Sequence, residues 1–185
     1  MRSAISKFGH NLRRQPPFYI LLAALFAAYI LSFHRHIVVY VILLLVSALI
    51  HYSHYRGFPT INLGHVFFIA FIIDWHDGLA GEMLFILLAG LLPEIMAGYF
   101  EFKTLLAYPI MVGVISLPIL IFHSDFVLLG ILSSLLYYSI MFYIGGLTKE
   151  PLHERLLESV VPLILNIFYF LYIAEPLYRL LDFII

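Results

Sequence analysis

The sequence predicts an all-α fold, a polytopic integral membrane helical bundle of six to seven transmembrane helices, and three observations lead there. Seven apolar stretches with short polar joints fill most of the 185 residues. With 63% hydrophobic and 11% charged residues and a mean hydropathy of +1.03, the chain lies far from soluble domains, in which roughly a quarter of residues are charged. Eight of the ten Lys and Arg residues fall on one side of the bilayer that the stretches would thread. The apolar runs are continuous rather than alternating. Because backbone polar groups in lipid must be satisfied internally, continuous runs favour helices over a barrel.

The stretches are Pro16 to Phe33, His36 to Ile50, Ile61 to Trp75, Met83 to Phe100, Thr104 to Phe122, Phe126 to Leu147 and Val160 to Leu181. Residues 16–185 are expected to form a single transmembrane domain, preceded by a basic cytoplasmic segment over 1–15. A span takes about 20 apolar residues, so the second and third stretches are marginal, and whether 61–75 crosses stays open. The run after Met1 to Gln15 has signal-peptide length, yet Ser32-Phe33-His34 is a poor processing site, which predicts a retained anchor. With the N-terminus in the cytoplasm, Arg2, Lys7, Arg13, Arg14, Arg56, Lys103, Lys149 and Arg155 lie inside and only Arg35 and Arg179 outside. That is the positive-inside pattern of a multi-pass protein of the plasma membrane. In the first helix Ala23 with Ala27 and Ala24 with Ala28 form a small-residue face on which another helix can pack closely.

No cysteine is present, which excludes disulfides and thiolate metal sites. A net charge of -1 without a basic patch of groove size excludes nucleic acid as a partner. No cofactor is named by any motif.

Polar chemistry collects at the boundaries. Towards the expected outer side stand His34 and His36, then Asp74, His76, Asp77 and Glu82, then His123 and Asp125. Imidazole and carboxylate together suit zinc, nickel, iron or manganese, although no spacing matches a known signature such as His-Glu-x-x-His, and hydrated loop ends account for the same residues. On the inner side His51 and His54 are three apart, followed by Tyr55, Arg56 and His65. They can share a proton or a metal, or simply reach back to the headgroups as side chains at a helix end do.

Inside the runs, Glu94 follows Pro93. An ionisable residue within a span is a functional-site hypothesis by default, and the proline frees a backbone carbonyl one turn earlier, where a kink can open beside the carboxylate. The alternative is that Glu94 sits near the inner headgroups, with Glu101 and Lys103 marking the end of the helix. Asn166 and Glu175, with Pro162 and Pro176, form a second polar set in the last run. Asn166 can hydrogen-bond across helices.

From Pro59 to Ile110 the chain runs through Leu63-Gly64-His65, a Gly-rich joint from Gly78 to Gly81, and a span that ends Leu92-Pro93-Glu94-Ile95-Met96-Ala97-Gly98. This order resembles the central region of the substrate-binding S components of energy-coupling-factor (ECF) vitamin transporters, and the MreD family of cell-shape proteins is similar in size and fold. The closing Val161-Pro162-Leu163-Ile164-Leu165-Asn166 looks like the last helix of both. The resemblance implies a membrane subunit that binds a small molecule for uptake. Glu94, Trp75, Tyr99 and Asn166 are its expected substrate-binding residues, and a membrane coupling subunit and ATPases its partners beside the lipid bilayer. The chain lacks a Gly-x-x-x-x-Gly-Lys motif, so ATP hydrolysis falls to a partner. Two other classes stay open: a non-catalytic membrane scaffold or assembly subunit, and a metal-dependent membrane enzyme that uses the outer His and Asp residues.

Overall fold

The computed structural model describes residues 35–56, 62–122 and 125–184. The N-terminal segment, the first apolar stretch with Ala23, Ala24, Ala27 and Ala28, and the side chains of His34, His36 and His123 lie outside that description.

The described residues are helical, without strands. The helices are α1 (Arg35–Tyr55), α2 (His65–Asp77), α3 (Leu79–Ala97), α4 (Phe102–Phe122), α5 (Phe126–Leu147), α6 (Leu152–Tyr172) and α7 (Ala174–Ile184). Five of them, α1 from Ile37 onward and α3 to α6, are long and apolar enough to cross a membrane, which suits a membrane protein. Their outer surfaces are apolar too: Leu49 is 69% exposed and Leu120 72%.

The two marginal stretches resolve in opposite ways. Helix α1 continues to Tyr55 and reaches 21 residues, because Tyr52, Ser53 and Tyr55 extend the helix beyond the purely apolar run. Helix α2 has only 13 residues, about 20 Å at 1.5 Å per residue, against a hydrocarbon core of about 30 Å. It is the hub of the bundle. Phe67, Phe71 and Ile72 are almost completely buried, and α2 touches α1, α3, α4, α5 and α6. Phe170 of α6 joins it edge-on, 5.2 Å from Phe68 and 5.0 Å from Phe71 between ring centroids. The same ring nests against Gly130 of α5, where a Cβ would collide with it.

Three prolines set the irregularities. Helix α3 widens to a π-helix over Ile86–Leu91 and α6 over Leu156–Val160, in each case just ahead of a proline, Pro93 and Pro162. The carbonyls of Ala89 and Glu158, which a residue with an N–H at those positions would bond, lie in the widened turns. A π turn gives the proline ring room while the helix continues. The expected kink at Pro93 is thus a π turn. In the last stretch Pro176 removes the donor for the carbonyl of Tyr172, and the helix stops there. The continuous run expected from Val160 to Leu181 is instead α6 followed, after a turn at Ile173, by the separate amphipathic α7. Ala174 and Leu181 of α7 face inward, and Glu175 pairs with Arg179 on the outer side.

Helices α1 to α6 run up and down, which sorts their joints into two groups. One end of the bundle holds the C-terminus of α1, the start of α2, the α3–α4 joint and the α5–α6 joint, with Arg56, Lys103, Lys149 and Arg155. The other holds the α2–α3 and α4–α5 joints and α7.

Candidate functional site

A cavity of about 430 Å3 opens at the Arg- and Lys-bearing end, between α1, α2, α3, α4, α5 and α6. One of its buried polar groups is Glu94. The π turn precedes Glu94 in α3, and the carboxylate turns into the bundle, where its side chain is 6% exposed. Helix α1 supplies two groups to it. The Tyr55 hydroxyl donates to Oε1 at 2.5 Å, and Nε2 of His51 lies 3.3 Å from the same oxygen. His51 Nε2 is also 3.1 Å from the Tyr108 hydroxyl of α4. Oε2 of Glu94 is buried without a well-formed hydrogen bond, and the Thr104 hydroxyl of α4 stands beside the carboxylate. His51 therefore faces the interior rather than the headgroups expected for a helix end, because residues 40, 43, 44, 47 and 51 form the inward stripe of α1. Arg56 behaves as that expectation describes, lying over the exposed side of Tyr52 with its Cζ 5.5 Å from the ring centroid.

Beside Glu94 the wall is aromatic. Tyr99 lies 5.6 Å from Tyr55 between centroids, and Phe67 stacks on Tyr137 at 5.2 Å. The mouth is acidic, with Glu101, Glu150, Glu154 and Glu158 lining it. Lys103 is held at the rim by Glu150 at 2.8 Å and Glu158 at 2.5 Å.

Below the cavity the chain enters α2 through non-helical backbone. Gly64 adopts φ 64 and ψ 7, a left-handed conformation that glycine takes without steric cost. The Asn62 side chain accepts from its N–H at 2.9 Å. The two N–H groups of Asn166 of α6 are then shared among three acceptors, the Gly64 carbonyl at 3.1 Å, the Pro162 carbonyl at 2.9 Å and the Tyr138 hydroxyl at 3.2 Å. Two of those three acceptors are carbonyls, which fixes the amide nitrogen on that side.

Of the expected substrate-binding residues, Glu94 and Tyr99 line the cavity. Asn166 is fully buried just behind it, holding the lining residues Gly64 and Tyr138. Trp75 is elsewhere, near the opposite end, stacked on Phe71 and edge-on to Phe126. Of the proposed metal ligands, Asp74, His76, Asp77 and Asp125 are described. His76 Nδ1 lies 3.1 Å from Asp77, and Asp125 is occupied in capping α5, accepting from Val127 and Leu128 N–H at 2.9 and 3.0 Å. Asp74 is buried, and the neighbouring Glu82 takes a 2.5 Å hydrogen bond from Ser116. Among the described residues no three His, Asp or Glu side chains come together as a metal site.

Sequence reasoning missed Tyr108, Tyr137 and Tyr138. A signal existed: Gly130, Ser133, Ser134, Tyr137, Tyr138, Met141 and Gly145 recur at helical spacing along α5 and form its buried face, a small and polar stripe on an otherwise Leu- and Ile-rich helix. The chain matches no protein-family model, no curated protein and no solved structure.

Proposed function

We propose that this protein is a membrane-embedded binding subunit that holds one small molecule in the cavity around Glu94 and passes it across the bilayer together with partner subunits, in the manner of the ECF S components it resembles. The observation that carries the reading is the cavity itself. Its volume falls in the range of small-molecule sites, about 300 to 1,000 Å3, and a buried carboxylate, Glu94, is among the side chains that line it. Loop backbone inside a bilayer is tolerated where it is buried in protein or lines a cavity, and the Asn62 to Gly64 entry to α2 fits that description. The five apolar helices and the exposed Leu and Ile side chains support insertion in a membrane, which we read as the plasma membrane. The positive-inside rule places the cavity mouth, beside Arg56, Lys103, Lys149 and Arg155, in the cytoplasm, so the subunit is open on that side. A coupling subunit and ATPases are the partners that such a role needs.

The test is purification in mild detergent followed by mass spectrometry for a co-purifying small molecule, with thermal shift against metabolite pools. A molecule retained by the wild-type protein and lost after unfolding is expected. A bundle that carries nothing and is stabilised by no pool sinks the proposal and favours a scaffold.

A further inference from the structure

We infer that the molecule held in the cavity is a small organic cation, with a protonated or quaternary amine set against Glu94. The inference rests on the reading of the cavity as a binding site and goes on to its ligand chemistry.

Charge comes first. Five carboxylates line the cavity, Glu94, Glu101, Glu150, Glu154 and Glu158, against one ammonium, Lys103. His51 and His54 are the lining imidazoles, and with both protonated the lining is still negative. Lys103 is already engaged by Glu150 and Glu158, so it does not neutralise the base of the site. There Glu94 uses Oε1 for Tyr55 and His51, and the Thr104 hydroxyl is a further protein donor near the carboxylate, whose Oε2 has no well-formed hydrogen bond although its side chain is more than nine-tenths buried. A buried acceptor left unmade is costly, and Glu94 is one of the residues that line the cavity. Arg155 packs beside Glu150 and Lys103 pairs with Glu150 and Glu158, so the mouth is a mixed field of ion pairs in which carboxylates outnumber cations among the lining side chains, and an anion that passed it would meet the Glu94 carboxylate. An uncharged ligand would leave the carboxylate without a full counter-charge.

The walls select among cations. Tyr55, Tyr99, Tyr108 and Tyr137 surround the carboxylate, and phenol rings attract an organic ammonium through their faces. A bare metal ion would want three or more hard or imidazole ligands at one point, and among the described residues no such group exists. At the mouth, acidic side chains raise the local concentration of cations before they enter.

The experiment compares matched ligands on the wild-type protein in detergent by isothermal titration and thermal shift. One set is choline, its uncharged isostere 3,3-dimethyl-1-butanol and the anion 3,3-dimethylbutanoate. A second is tyramine, 4-ethylphenol and 4-hydroxyphenylacetate, and the charge of any co-purified molecule is read by mass spectrometry. The expected result is that the tightest ligand in these sets, and any co-purified molecule, is a cation. Glu94→Gln should weaken that cation at least tenfold, while Glu175→Gln, on the outer side of α7, leaves it unchanged. An uncharged or anionic member that binds as tightly as its cationic counterpart overturns the inference and leaves the binding-subunit reading standing. So does a cation whose affinity Glu94→Gln does not alter. Failure of every compound together with an empty protein overturns both. The matched comparison on the wild-type chain decides the matter even where Glu94→Gln does not fold.

Discussion

At the scale of single residues, the best-determined polar feature is Asn166. Its amide spans three elements, closing the Gly64 carbonyl at the entrance of α2, the Tyr138 hydroxyl of α5 and the Pro162 carbonyl that the π turn of α6 leaves near it. Replacement by Ala leaves the Gly64 carbonyl with only its 3.3 Å bond from the Phe68 N–H and takes away the amide at the buried Tyr138 hydroxyl, and such losses amount to about 1–3 kcal/mol. Asn166→Ala is therefore expected to lower the thermal midpoint in detergent measurably, and Asn166→Asp to do the same because an acceptor would face two carbonyls. An unchanged midpoint in both variants would show that the network is not structural. Gly64 is bound to the same outcome by a different cause. Any side chain there is strained at φ 64 and would run into the Asn166 amide and the Tyr138 hydroxyl, so Gly64→Ala should destabilise by a comparable or larger amount. How much of this was legible in the sequence differs by residue. Glu94 stood out because a carboxylate is conspicuous in an apolar run, and Asn166 for the same reason. Tyr108, Tyr137 and Tyr138 did not, because a tyrosine in a membrane helix signals packing or an interface as readily as a site, and only the meeting of α4 and α5 with α2 brings them together. Trp75 shows the converse: its place near the end of a stretch invites a stacking role, but α2 ends at the far side of the bundle from the cavity.

At the scale of elements, the prolines write structure that hydropathy does not record. Pro93 and Pro162 each follow a π turn; the first lies about one turn ahead of the cavity-lining Glu94, and the second contains the lining Glu158 and Ser159. A π turn holds one residue more than an α turn, so closing it rotates everything beyond by about 100°, the angle per residue of a 3.6-residue turn. Pro93→Ala restores the missing N–H and removes the ring that demands the extra room. The expected result is a helix α3 that tightens, a thermal midpoint equal to or above the wild type, and ligand affinity reduced about tenfold, equivalent to about 1.4 kcal/mol, because Glu94 leaves the Tyr55 and His51 pair. Retained affinity together with retained stability would mean that the π turn does not aim the carboxylate. The boundaries of helices α4 and α5 agree closely with the apolar runs, because Lys103 falls in the first turn of α4 and Asp125 caps α5, so that the charges mark the helix ends. Those of α1, α2 and α6 do not. The polar Tyr52 to Tyr55 turn continues α1, the Asn62 to Gly64 backbone delays α2, and Leu152 to Ser159 adds two amphipathic turns to α6 ahead of the apolar run.

At the scale of the whole molecule, the short α2 explains how a stretch too brief to cross lipid still takes its place in an up-and-down path. Surrounded by five other helices, it is enclosed by protein along its length, and the Asn62 to Gly64 backbone completes its traverse on one side while Gly78 turns it back on the other. Apolar length alone leaves such a segment ambiguous between a span and a half-embedded helix, and only its burial decides. The consequence for sidedness is direct. If α2 and α3 form a returning pair, Glu101 at the cavity mouth and His76 at the α2–α3 joint lie on opposite faces of the membrane, and the positive-inside rule assigns Glu101 to the cytoplasm. The chain has no cysteine, so Glu101→Cys and His76→Cys each introduce a single thiol at a joint outside the central core. A membrane-impermeant maleimide applied to intact cells should label His76→Cys and spare Glu101→Cys until the membrane is opened, and inside-out vesicles should give the reverse. Labelling of both from the same face would break the path of α2 and α3, whereas the reverse assignment of the two faces would keep the fold and turn the cavity mouth to the exterior.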